Sequence, residues 1–134
     1  MRLIWVLLLG MVVSQPVWAE WVELGRVEAG AGSFTTHLDP TTVRKTAEGR
    51  RVWAMDNHDQ SQTESFGSFQ STKDLLEIDC AGERMKALQG MYYSGPKGSG
   101  KVVSQYDNPG KWQVVSPGSL GEARLKAVCS MPFK

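Results

Sequence analysis

The segment Gly95-Pro96-Lys97-Gly98-Ser99-Gly100-Lys101 carries two glycines followed by a lysine at the spacing of a phosphate-binding loop. Such a loop needs Ser or Thr next, to reach the magnesium ion, and it must open a helix. Val102 follows here, and the β-branched pair Val102-Val103 reads as strand, so the segment is expected to be a glycine-rich hairpin connection. His37 beside Asp39, and His58 between Asp56 and Asp59, are metal-ligand types without the spacing of a known site. They read as exposed turn residues, and no metal or other cofactor is expected. Neither histidine stands in a recognisable nucleophile context, so no catalytic residue is assigned and the chain is read as non-enzymatic.

What remains is a binding surface. Lys97, Lys101 and Lys111 fall in connections that adjoin Tyr92, Tyr93 and Tyr106, and such cationic and aromatic groups supply contact area and charge complementarity at interfaces. These six residues are the candidate site. Trp21, Trp53 and Trp112 are assigned instead to the core.

The elements that must position these groups belong to a single domain. The chain has 134 residues, 15 Lys plus Arg against 14 Asp plus Glu, and an apolar share of 41%. Residues 1–19 read as a secretory signal peptide: Arg2, an apolar run from Leu3 to Val13 that is too short to span a bilayer, Pro16, and small residues ahead of a cut after Ala19. The domain then covers residues 20–134. Arg2 is the only charge in the leader, so the remainder is neutral, and a neutral chain has no bulk attraction for nucleic acid or anionic lipid. No cysteine stands near the cut to accept a lipid, and no membrane span is expected after processing. The product is expected in the periplasm or beyond. Composition leaves the oligomeric state open.

Cys80 and Cys129 are an even pair in a small exported chain, which reads as a disulfide. A redox pair would need the close Cys-x-x-Cys spacing, and a metal site further thiolates. Closing so long a loop is worth about 3–4.5 kcal/mol.

Apolar alternation and turn residues place strands over 20–27, 33–38, 51–56, 73–80, 84–93, 101–106 and 111–115. Asp39-Pro40-Thr41-Thr42 reads as a turn, and 57–69 as a polar, exposed connection or loose edge. In the hairpin about Ala81-Gly82, Leu76, Ile78 and Cys80 share one face, as do Met85, Ala87 and Met91 on the return strand. The period changes at the end. Ser119 with Glu122 fits a capping box, or Ser116 caps with Pro117 at the first helical position, and Leu120, Ala123, Ala127 and Val128 recur at helical intervals. About six antiparallel strands and one C-terminal helix packed on one face, joined by a single disulfide, make an α+β domain.

In this order the motifs resemble the surface-adhesin protein E family of exported proteobacterial domains. The likeness is carried by Glu20-Trp21, Phe34-Thr35-Thr36-His37-Leu38-Asp39, Arg51-Val52-Trp53-Ala54-Met55, Ser71-Thr72-Lys73 running to Glu77-Ile78-Asp79-Cys80, Tyr92-Tyr93, Trp112, and Ser116-Pro117-Gly118-Ser119 leading to Val128-Cys129. The resemblance implies the same sheet, helix and disulfide. It also implies an adhesin that engages an extracellular protein or glycan, although the family's characterised lipid-anchored member differs from this unlipidated chain. The competing expectation is a periplasmic accessory protein that buries a strand edge against an envelope partner.

Overall fold

A computed structural model describes residues 19–132. The signal peptide expected over 1–19 lies, apart from Ala19, outside the described residues.

Seven strands form one antiparallel sheet. They are β1 (Val22–Val27), β2 (Phe34–Lys45), β3 (Arg50–Glu64), β4 (Gly67–Asp79), β5 (Arg84–Tyr93), β6 (Val102–Tyr106) and the two-residue β7 (Gln113–Val114). The order is β1-β2-β3-β4-β5-β6, each strand beside its sequence neighbour, and β7 also pairs with β5. The helix α1 (Leu120–Cys129) lies on one face. Side chains alternate across a pleated strand, so that face takes Leu38, Val52, Ala54, Leu76 and Ile78, which join Val43 and Val128 in one buried cluster. Burying each such aliphatic side chain is worth about 1.5–3 kcal/mol, and the cluster is small. Cys80 and Cys129 close the disulfide over it, with their Cα atoms 5.9 Å apart.

Ser119 is the N-cap of α1. Its Oγ accepts from the Glu122 backbone N–H at 3.2 Å, and the Glu122 carboxylate accepts from the Gly118 N–H. The capping-box alternative therefore holds, with the return bond one residue earlier than in the simplest form.

Four expectations are corrected. Asp39 to Thr42 is not a turn between elements: β2 runs through it with a shift in register, and the buried Asp39 carboxylate takes up the Thr41 N–H and hydroxyl. Residues 57–69 are not a loose connection, because β3 continues to Glu64 and β4 starts at Gly67 as a long hairpin. The strand expected over 111–115 shrinks to Gln113–Val114, which reaches only Arg84 and Met85 and leaves Val114 82% exposed. Met91 lies on the face opposite Met85 and Ala87. Leu75 pairs with Gln89 but Leu76 with Ala87, so Leu88 is an extra residue, and this bulge exchanges the faces of everything that follows on β5.

Candidate binding surface

The Leu88 bulge decides where the tyrosines go. It turns Gly90 and Tyr92 to the helix side and Met91 and Tyr93 to the outer side. Tyr92 is the hub of an aromatic strip, with its ring 4.7 Å from Phe66 and 4.9 Å from Phe69. The strip continues from Phe69 to His58 at 5.6 Å and from His58 to Phe34 at 5.1 Å. Burial, followed by the charges of Asp74 and Glu64, holds the Tyr92 phenol above its ordinary value, so it presents a neutral hydroxyl. Tyr93 instead lies beside Lys73, whose Nζ sits 5.2 Å from the Tyr93 ring and 5.6 Å from that of Trp21.

Residues 94–101 form the β5–β6 hairpin connection and bend back over the outer face. Buried Ser71 fixes them: its hydroxyl donates to Gly95 O at 2.7 Å and accepts from Gly98 N at 2.8 Å. Asn57 Oδ1 accepts from Lys97 N at 2.7 Å. Lys97 is held in the left-handed region, at φ 53°, where a side chain costs about 1–2 kcal/mol. Its exposed ammonium thus projects from a fixed backbone.

Beside this loop the β3–β4 hairpin tip leaves a cleft of about 470 Å³, walled by Phe66, Ser94, Lys101, Val102 and Val103. Phe66 is 41% and Val102 45% exposed, which is high for large apolar side chains in so small a chain. Neither Lys97 nor Lys101 makes an ion pair among the described residues.

Of the six candidate residues, Tyr92, Tyr93, Lys97 and Lys101 lie at this end of the sheet, Tyr92 on the helix side and Lys97 in the loop over the outer face. Tyr93 is carried to the outer face. Lys111 lies at the other end of β5, next to Gly110, whose N–H bonds Ala87 O. Tyr106 turns inward. Its hydroxyl donates to Asp74 Oδ1 at 2.6 Å, in the same layer where Arg124 of α1 bonds Asp56 Oδ1 at 2.8 Å and Thr36 Oγ1 at 3.0 Å. Burial holds both the Asp74 carboxyl and the Tyr106 phenol above their usual values. This polar layer escaped the sequence because its members come from five elements and no local spacing links them. Phe66 escaped because it sits in a polar stretch, although Phe66 and Phe69 were the signal there.

The histidines and tryptophans also depart from expectation. His37 and His58 are half-buried strand residues rather than exposed turn residues, since β2 and β3 both extend through them. Trp21, Trp53 and Trp112 stand outside the core cluster and are only partly buried; Trp112 lies against Arg84 and Lys86, each 4.5 Å from its ring centroid. Among the described residues no group of three or more His, Cys, Asp and Glu could hold a metal, and no helix is long and apolar enough to cross a membrane.

A single sheet curled about one disulfide-tied helix, with an aromatic and cationic end, defines the class. The chain belongs to the surface-adhesin protein E family, whose family model matches residues 21–130. Its fold is similar to that of Haemophilus influenzae protein E, with a TM-score of 0.60 at 12% identity over 88% of this chain and 91% of that one. A second crystal form of the same protein gives 0.61 at 11% identity, over 86% and 91%. No curated protein matches the chain.

Proposed function

We propose that this chain is an exported, unlipidated, non-enzymatic binding module of adhesin type, which engages an extracellular protein through the end of the sheet formed by the β3–β4 tip and residues 94–101. Family membership supports the class. The observation that carries the site is the cleft where two exposed apolar side chains, Phe66 and Val102, meet Lys101, with Lys97 held in a strained, pinned backbone on the same hairpin connection; neither lysine makes an ion pair among the described residues. An acidic surface with an apolar anchor complements it. Tyr92 stands behind Phe66 through their ring contact, and Tyr93 lies on the outer face that the 94–101 loop covers, whereas Tyr106 and Lys111 stand away from this end.

The test is binding of the exported protein to solubilised extracellular matrix proteins. Lys97→Glu with Lys101→Glu is expected to abolish binding and Lys111→Glu to leave it intact; equal loss from both would remove the site assignment. The alternative, a periplasmic accessory protein, draws on the outer edges of β1 and β6, which pair with no strand among the described residues. Protease treatment of whole cells separates the two readings, because only a surface adhesin is cut.

A further inference from the structure

At the other end of β3, on the face away from α1, two arginines stand directly opposed. Arg44 of β2 and Arg51 of β3 are register partners. Like charges facing each other across an antiparallel pair are destabilising, so their juxtaposition calls for an anion. Neither has a carboxylate partner among the described residues: Glu77, the register partner of Arg51 on β4, holds Lys86 at 3.4 Å instead. Arg44 is nevertheless fixed in place. Its Nη1 donates to the carbonyls of Thr41 and Val43, each at 2.9 Å, and this leaves Nε and Nη2 as a free fork.

The two arginines wall a shallow cleft of about 360 Å³ whose floor is Trp53 and Leu75, with Gln89 and Thr42 at its sides. Thr42 Oγ1 accepts from the Trp53 backbone N–H at 3.0 Å, which fixes the strand that carries the indole. The floor belongs to the middle of the sheet, where backbone N–H and C=O groups lie in the plane and bond neighbouring strands. An extended peptide therefore finds no main-chain partner here, and recognition rests on side chains alone. A flat indole, two guanidinium forks and an exposed amide fit a ring with apolar C–H faces, anionic substituents and hydroxyls. We infer that Arg44, Arg51 and Trp53 form a site for an acidic saccharide, a sugar ring carrying carboxylate or sulfate groups, distinct from the protein-binding end.

The exported protein is titrated by calorimetry with hexagalacturonate, a heparin hexasaccharide, neutral maltohexaose and a hexaglutamate peptide. At least one acidic hexasaccharide is expected to bind and to perturb tryptophan fluorescence, whereas maltohexaose is not. The two acidic saccharides tell carboxylate from sulfate as the preferred group. Arg51→Gln, at an exposed position, and Arg44→Gln are each expected to weaken binding roughly tenfold, as loss of a charge-assisted fork does. Trp53→Phe is expected to remove most of the fluorescence change, and Lys97→Glu with Lys101→Glu to leave binding unchanged. Three results would each overturn the site: neither acidic hexasaccharide binds, Arg51→Gln binds like the parent, or hexaglutamate binds as tightly. The last would point to an acidic peptide.

Discussion

Tyr106 reaches Asp74 across a residue that has no side chain. The two flank Gly90 in the register, Asp74 on β4 and Tyr106 on β6. A Cβ on Gly90 would lie 2.3 Å from the Asp74 carboxyl and 2.5 Å from the Tyr106 ring. The bond they make at 2.6 Å ties the edge strand β6 to the centre of the sheet. Gly90→Ala must therefore displace Tyr106, and is expected to destabilise by about 2–3 kcal/mol, against about 1–2 kcal/mol for Tyr106→Phe, which only removes the donor. Urea unfolding of the two variants checks the order; equal stability of Gly90→Ala and parent would refute the packing.

The same carboxyl gives a pH dependence of definite sign. Burial raises Asp74, opposed in part by the Tyr106 hydrogen bond. Between its unfolded and folded values the native state keeps a proton that the unfolded chain has released. Its contribution is therefore full below the unfolded value, declines as pH rises through that window, and is flat above it. Asp79 runs oppositely, because Arg84 and then the Gly82 N–H hold it low, so its contribution is lost as pH falls through the folded value. Relative to Asp74→Asn, the parent should thus lose stability as pH climbs above about 4, and unfolding midpoints at several pH values measure this. A gap that stays constant would contradict it.

The disulfide spans 49 residues and holds α1 against a cluster of few buried side chains. Cys80→Ser with Cys129→Ser is expected to cost about 3–4 kcal/mol through the freer unfolded chain. Thermal unfolding with and without reductant should show a lower midpoint for the reduced parent, matching the double variant. An unchanged midpoint would remove the crosslink from the account.

Lys97 predicts a separation of stability from function. Glycine tolerates the left-handed backbone that lysine occupies at φ 53°. Lys97→Gly is expected to raise stability by on the order of 0.5 kcal/mol, the relieved strain being partly offset by the entropy of glycine, while binding to the matrix partner falls. Loss of both would make the lysine a structural residue.

The class of fold was legible because its signals are local: alternation in β4 and β5, the Ala81-Gly82 turn, the Ser119 cap and the cysteine pair. Two things were not. Asp39 and Pro40 have turn chemistry, but Asp39 turns it inward and satisfies Thr41 inside a strand. Leu88 has no chemistry of its own to announce a bulge, yet that one residue separates Met91 from Met85 by face and decides that Tyr92 rather than Tyr93 turns to the helix side. The residue types of the candidate site were readable in the sequence, while their placement on the two faces depended on pairings between distant strands.

The binding end is tested most directly by crosslinking. A photoreactive benzoylphenylalanine replaces Phe66 in one exported protein and Ala123, on the exposed side of α1, in another. Both are irradiated with extracellular matrix proteins. Adducts with an extracellular protein from position 66 and none from position 123 are the predicted result; no adduct at 66, or equal adducts at both, would contradict the assignment of this end of the sheet.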